Sequence, residues 1–260
     1  MGLMDFPERH RPIGRPPVFG WRGLVAYTAL LALMSAALYL IFIFAPAERV
    51  QGDVQRLLYG HVSTAWLAFL SFGIVGISGI IFLWNKDTRW DSLAVAAAEI
   101  GVVFTTVTLV TGSIWGRSIW NAWWAWDPRL TTTIVLWFIY VAYLILRTYI
   151  DDISVRRRVA AIFGVFGFVD VPIVWFSVQW WRSLHPVQTI TQAGGGMPRE
   201  MLATLLMTLV AFTVFFFIVL RQRYLLERAS EEGDDLRAAV HRQLDVSVAA
   251  ADTSVPEGRT

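Results

Sequence analysis

The chain of 260 residues contains no cysteine. That excludes a disulfide scaffold, thiol redox chemistry, an Fe–S cluster and a Cys-ligated zinc on this chain. Charge is also scarce: only 16% of residues are Asp, Glu, Lys or Arg, against about 25% in soluble domains. The 22 basic and 20 acidic side chains leave a net charge of +2, too small to point to a nucleic-acid partner. No GxxxxGK phosphate loop occurs, so any ATP used must be hydrolysed by another chain. Histidine occurs four times, at His10, His61, His185 and His241. Apolar side chains, in contrast, make up 56% of the chain, and 13 residues are Trp. That excess excludes a disordered polypeptide and an ordinary soluble globule, and points to a polytopic membrane protein.

The apolar residues are gathered into six runs: Leu24–Ala45, Val62–Trp84, Leu93–Ile114, Leu130–Tyr149, Val159–Val178 and Met201–Leu220. Each is about the 20 residues that a helix needs to cross a hydrocarbon core roughly 30 Å thick. Backbone polar groups in lipid must be satisfied within the segment, so these runs predict helices and the fold class is all-α. Only Glu99, Arg147 and Asp170 bring charge into them. The first run is too long for a signal-peptide core and lacks a small-residue cleavage site after it, so it is read as a retained helix.

Basic residues set the expected orientation. Six spans put both termini on one side. That side carries 16 of the Lys and Arg residues, and the loops of the other side carry six: Arg49, Arg56, Arg117, Arg129, Arg182 and Arg199. Positive loops stay in the cytoplasm, so both termini are expected inside and the first, third and fifth loops outside. Residues 1–221 are read as the membrane domain and 222–260 as a polar cytoplasmic tail. Within the tail, Leu225–Leu244 is either an amphipathic helix near the inner surface or disordered. Gly73, Gly76 and Gly79, with Gly164 and Gly167, have the spacing of close helix packing.

Chemistry concentrates in the outer loops. Trp115, Trp120, Trp123, Trp124 and Trp126 fall within 12 residues, followed by Asp127-Pro128-Arg129. An interfacial aromatic belt is one reading. A platform for a flat apolar ligand, with arginines for its anionic groups, is the other. Asp127 before Pro128 is also a helix N-cap signature for the fourth span. His61, after Arg56, and His185, after Trp180-Trp181-Arg182, are the two outer histidines. Neutral imidazole is a common haem ligand, so these residues mark a haem site or a substrate pocket of another kind.

Inside the membrane, Asp170 stands two residues before Pro172. It is expected to be protonated and bonded to carbonyls that the proline frees, or else to be functional. Glu99 is expected to reach Arg89, Lys86 or a partner subunit, and Arg147 to snorkel to the inner interface.

Trp115-Gly116, Trp120, Trp123, Trp124, Trp126-Asp127 and Arg129-Leu130-Thr131 strongly resemble the WWD signature of the haem-handling proteins of cytochrome c biogenesis. The six spans, the Glu99 to Trp115 stretch, His61 after Arg56, and Ser177-Val178 to Trp180-Trp181 to Leu184-His185 are similar to its haem exporter protein C (CcmC) branch of the system I pathway. The likeness covers roughly residues 22–221. It implies haem b, held non-covalently and transiently on the outer face of the bacterial inner membrane. By resemblance, His61 and His185 are its axial iron ligands. Trp115, Trp120, Trp123, Trp124, Trp126 and Asp127 form the platform, and Arg56 and Arg129 contact propionates or a chaperone.

The resemblance also implies partners: a periplasmic haem chaperone (CcmE-like), an ABC-type ATPase with its membrane subunit (CcmA/CcmB-like) and a small membrane protein (CcmD-like). Larger members of the superfamily have more helices and a further histidine pair within the membrane. The six spans here hold no histidine, which argues against thioether ligation and transmembrane electron transfer on this chain. Haem binding and delivery, without catalysis, is therefore expected. A transporter moving haem or another amphiphile through its own bundle is the alternative, and would call for discontinuous helices and a polar path.

Overall fold

The computed structural model describes residues 20–185 and 197–253. Its elements are α1 (Trp21–Tyr39, continued as one π turn, Leu40–Phe44), a 3-10 turn (Asp53–Arg56), α2 (Leu57–Asn85), α3 (Thr88–Trp120), α4 (Pro128–Tyr149), α5 (Ile153–Phe168), α6 (Asp170–Trp180) and α7 (Arg199–Thr253). No strand occurs among the described residues. Six helical stretches are long and apolar enough to cross a membrane, as the six runs predict.

Local signals set the helix starts. Asp87, Asp127 and Asp152 are the N-caps of α3, α4 and α5, and their carboxylates accept the free amides of Arg89, Arg129 and Ser154 respectively. Pro128 begins α4, where a missing amide hydrogen costs nothing. The amides of Val155 and Ser154, with the Ser154 hydroxyl, hold the Asp152 carboxyl below the usual carboxylate range.

The fifth span is not one helix. α5 ends at Phe168 and α6 begins at Asp170, and the amide of Val169 bonds the carbonyl of Phe166 at 3.2 Å, one residue short of the α-helical step. Pro172, which lacks an amide hydrogen, stands in the first turn of α6 and accounts for the interruption. Oδ2 of Asp170 is buried there without a hydrogen-bond partner. The expected bond from this carboxyl to a freed carbonyl is not formed.

α2 is the centre of the bundle, packed against α3, α5 and α7, and α4 closes on α3, α5 and α6. Close approach explains the glycines. A Cβ at Gly76 of α2 would lie 2.5 Å from the Phe168 ring, and one at Gly167 of α5 would lie 2.7 Å from Ile139 of α4. The packing face expected from the glycine spacing is thus present. Between these contacts Phe72 stacks on Tyr140 at 3.8 Å, and the Tyr140 hydroxyl donates to the carbonyl of Gly164.

The end of the bundle away from the tryptophans is held by ion pairs. Asp91, 3% exposed, accepts both Arg147 Nη1 at 2.6 Å and Nη2 at 2.8 Å. Arg147 therefore forms a bidentate pair rather than snorkelling into water. Glu99 pairs with Arg223 of α7, not with Arg89 or Lys86. The reason is that α7 runs unbroken through the expected boundary at 221/222. It brings Arg223, Arg228 and Glu231 onto α3 and α5, where Glu231 accepts from Arg157 at 3.0 Å. Arg147→Ala strands Asp91 with only Arg157, 3.4 Å away. Breaking a buried pair costs about 3–5 kcal/mol, and the remaining Arg157 puts the expected loss near the lower figure. Unfolding followed in detergent measures it.

Candidate functional site

A cavity of about 640 Å³ opens between α2, α3, α4, α6 and α7 at the tryptophan end. That volume lies within the range of small-molecule sites, about 300–1,000 Å³. His61, His185, Arg129, Trp115, Trp120 and Trp124 all line it. Residues distant in sequence, which share only their chemistry, thus meet at one place. The wall continues down the bundle through Phe69, Thr105 and Leu136. Phe69 is eight residues beyond His61 on α2, about 12 Å along the axis at 1.5 Å per residue. The pocket is a deep apolar cleft with a polar mouth.

The mouth is built from three loops. In the first, Glu48 folds residues 48–52 into a tight turn: its carboxylate accepts the amides of Val50 and Gln51 at 2.8 and 2.6 Å. These amides, that of Gln51 foremost, hold its pKa below the usual glutamate range. Gly52 closes the turn with a positive φ of 59°. Gln51 then accepts the indole N–H of Trp115 at 3.1 Å, so the first loop anchors the first tryptophan of the motif.

The tryptophan segment is partly helix. α3 continues to Trp120 and ends where Asn121 turns left-handed at φ 56°. Trp115 and Trp120 therefore stand on a helix end, not in a loop, because nothing in 115–120 breaks the helix. Trp120 folds back over Gly116, where a Cβ would lie 3.1 Å from its ring. Only Asn121–Trp126 is loop. Trp124 faces the cavity with its indole nitrogen buried and unbonded, and Trp126 meets it edge-on at 5.7 Å. Trp123 and Trp126 do not line the cavity and are 63% and 79% exposed.

Asp127 does not line the cavity either. It is 4% exposed and stands behind the wall. Oδ1 accepts the Arg129 amide at 2.9 Å, which makes the expected N-cap. Oδ2 accepts the Ser183 hydroxyl at 2.7 Å and the Leu184 amide at 2.6 Å. Ser183 Oγ in turn accepts the His185 amide at 3.0 Å. One carboxylate therefore starts α4 and ties down the segment that carries His185.

His61 lies in the second turn of α2, inside the helix rather than at its start, because α2 begins at Leu57. Its ring meets Trp115 at 6.0 Å between centroids, with 61° between planes. Arg129 Nη2 donates to the carbonyl of Trp175 at 2.8 Å, while its Nε is buried without a partner. Arg56 is elsewhere. Its guanidinium caps the end of α1 by donating to the carbonyls of Ile41 and Ala45, and it pairs with Asp53 at 3.0 Å. It does not line the cavity. His241 sits far along α7, and His10 lies outside the described residues. Among cavity residues, Trp66, Phe69 and Trp175 are not picked out by sequence reasoning. They sit in long apolar runs and carry no signal beyond being aromatic.

The donor set suits haem. The walls are apolar, and indoles, two imidazoles and one guanidinium line the cleft. No cluster of three or more His, Cys, Asp or Glu occurs among the described residues.

Comparison with known proteins gives the same direction. Residues 19–237 match the family described as heme exporter protein C (CcmC). The chain is 36% identical over 194 residues to a putative cytochrome c biosynthesis ccmC-like mitochondrial protein of Marchantia polymorpha, covering 73% of this chain and 82% of that protein. It is 35% identical over 189 residues to the heme exporter protein C of Bradyrhizobium diazoefficiens, with 72% of each chain covered. It is 42% identical over 153 residues to that of Escherichia coli K12, covering 58% of this chain and 62% of that one.

Proposed function

Because the chain belongs to the heme exporter protein C family, a family of multi-pass membrane proteins of haem handling, we propose that it binds haem in the cavity at its tryptophan end and hands it to a periplasmic haem chaperone. The observation that carries this reading is the convergence of His61, His185 and Arg129 on one apolar cleft. His61 and His185 are the axial iron ligands in this proposal. The Arg129 guanidinium, which lines the cleft, meets a propionate. Trp115, Trp120 and Trp124 bear on the macrocycle, and the exposed Trp123 and Trp126 are left to face the chaperone. Arg56 serves the site indirectly, by fixing the end of α1 and the first loop.

In this reading the protein lies in a bacterial cytoplasmic membrane, as the family resemblance implies, and the arginine distribution supports both termini in the cytoplasm. Haem b is cargo here, and the chain is a binding and delivery module, not an enzyme. An ABC-type ATPase with its membrane subunit (CcmA/CcmB-like) and a small membrane protein (CcmD-like) complete the assembly. The broken fifth span and unpartnered Asp170 favour the alternative, haem passage through the bundle, but Asp170 does not line the cavity. The deciding test is the absorption spectrum of protein purified from cells that lack the ATPase. A Soret band supports binding and delivery. A featureless Soret region refutes it, and haem flux by this chain alone in vesicles establishes the transporter.

Arg129→Lys tests the propionate contact. An ammonium cannot keep the Trp175 carbonyl and present a second donor in the guanidinium plane. A hydrogen bond to a charged group is worth about 1.5–3 kcal/mol, so haem affinity is expected to fall at least about tenfold while the spectrum keeps its shape. Equal affinity in a haem titration shows that charge alone acts.

A further inference from the structure

Resting on the reading of His61 as an iron ligand, we propose that Thr111 is a positioning residue: it fixes His61 in the tautomer protonated at Nδ1 and leaves Nε2 free for the metal. The argument turns on one hydroxyl hydrogen. Thr111 stands on α3, and its Oγ1 lies 2.8 Å from the carbonyl of Val107 and 3.2 Å from that of Thr108. Carbonyls only accept, so the hydroxyl hydrogen goes to one of them, the usual bond of a threonine inside a helix. His61 Nδ1 lies 3.0 Å from the same Oγ1. With its one hydrogen spent, Oγ1 meets the ring as an acceptor. In this arrangement Nδ1 carries the proton, and in neutral imidazole the lone pair then belongs to Nε2.

The next residue supports the same placement. A Cβ at Gly112 would lie 3.1 Å from His61 Cε1 and 3.7 Å from Nδ1. The Cε1–Nδ1 edge of the ring thus faces the one position of this stretch of α3 that has no side chain, with the Thr111 hydroxyl on one ring nitrogen and Trp115 one turn further on. The Thr111 hydroxyl thus meets the ring without any ligand present. Histidine ligands to metals commonly use their second nitrogen in this way, and loss of such a partner typically costs 10–100-fold in metal affinity.

The experiment compares full-length wild type, Thr111→Val and Thr111→Ser in detergent. Valine keeps the shape of threonine and removes the acceptor, whereas serine keeps the acceptor. Nitrogen-15 NMR of labelled histidine on haem-free protein reads the His61 tautomer directly, with His61→Gly to assign its signal. Ferric protoporphyrin IX titration reads affinity. Wild type and Thr111→Ser are expected to show the Nδ1–H form, Thr111→Val a mixture with Nε2–H, and valine affinity is expected to drop about tenfold. An Nδ1–H signal unchanged in Thr111→Val, or a drop shared equally by serine and valine, overturns the assignment. If the tautomer changes between wild type and Thr111→Val but wild type binds no porphyrin, the haem reading fails and the tautomer assignment stands.

Discussion

His61→Gly and His185→Gly are each expected to retain haem yet lose the six-coordinate spectrum, and the double variant to lose most of it. The expectation follows from the division of affinity in the cleft. Fully burying one large apolar side chain is worth roughly 1.5–3 kcal/mol, and the cleft presents several indoles and the Phe69 ring besides its two imidazoles. Apolar contact thus rivals one iron–imidazole bond, and removal of one ligand leaves the macrocycle seated with five-coordinate or water-ligated iron. Delivery is expected to fail in both single variants. Added imidazole is expected to restore the six-coordinate spectrum in each, since it occupies the vacated axial position. Optical and EPR spectra of the purified variants decide. An unchanged bis-imidazole spectrum in either, without added imidazole, identifies a different ligand.

The six spans were legible because each apolar run matches the thickness of a bilayer, and runs of that length need no tertiary information. What lay beyond was decided by contacts between helices. α3 overruns its apolar stretch to Trp120, since an interfacial helix end tolerates Arg117 and Ser118. α7 overruns its own as far as Thr253, and in the first three turns of that stretch Arg223, Arg228 and Glu231 find partners on α3 and α5. Arg147 read as a lone basic residue at a membrane edge. Its partner Asp91 lay 56 positions away, and no local pattern links the two.

The site was legible as a composition and not as an arrangement. Two histidines and a tryptophan cluster in loops assigned to one side mark a site, and those side chains do meet in one cleft. Sequence spacing did not separate the indoles that line it, Trp115, Trp120 and Trp124, from those that face away, Trp123 and Trp126. That sorting depends on where α3 ends and how Asn121 turns. Thr111 was silent for a related reason. Threonine in an apolar helix bonds its own carbonyls, and its second role appears only when α2 lays His61 against it. Arg56 and Arg129 looked alike in sequence, each an arginine beside a motif residue. One caps a helix end and the other lines the cleft.

Asp127→Asn is expected to reproduce the spectrum of His185→Gly although it removes no ligand. Both carboxylate oxygens of Asp127 accept: Oδ1 takes the Arg129 amide, and Oδ2 takes the Ser183 hydroxyl and the Leu184 amide. Asparagine offers one accepting oxygen. If that oxygen keeps the N-cap, the new NH2 group confronts the Leu184 N–H, donor against donor. If the amide flips, the cap is lost at a cost of about 1 kcal/mol. Asn caps a helix as well as Asp, so the first orientation is expected, and with it a charge-assisted bond worth about 1.5–3 kcal/mol disappears from the segment that holds His185. The histidine is then released from its position, and five-coordinate haem that added imidazole converts to six-coordinate is the expected signature. Asp127→Ala is expected to show the same spectrum with the loss of the cap as well, seen as a lower unfolding midpoint in detergent. Ser183→Ala removes one bond of the clamp and is expected to be milder than both. A normal six-coordinate spectrum in Asp127→Asn, with delivery lost, would transfer the carboxylate's role from the His185 segment to the partner that receives the haem.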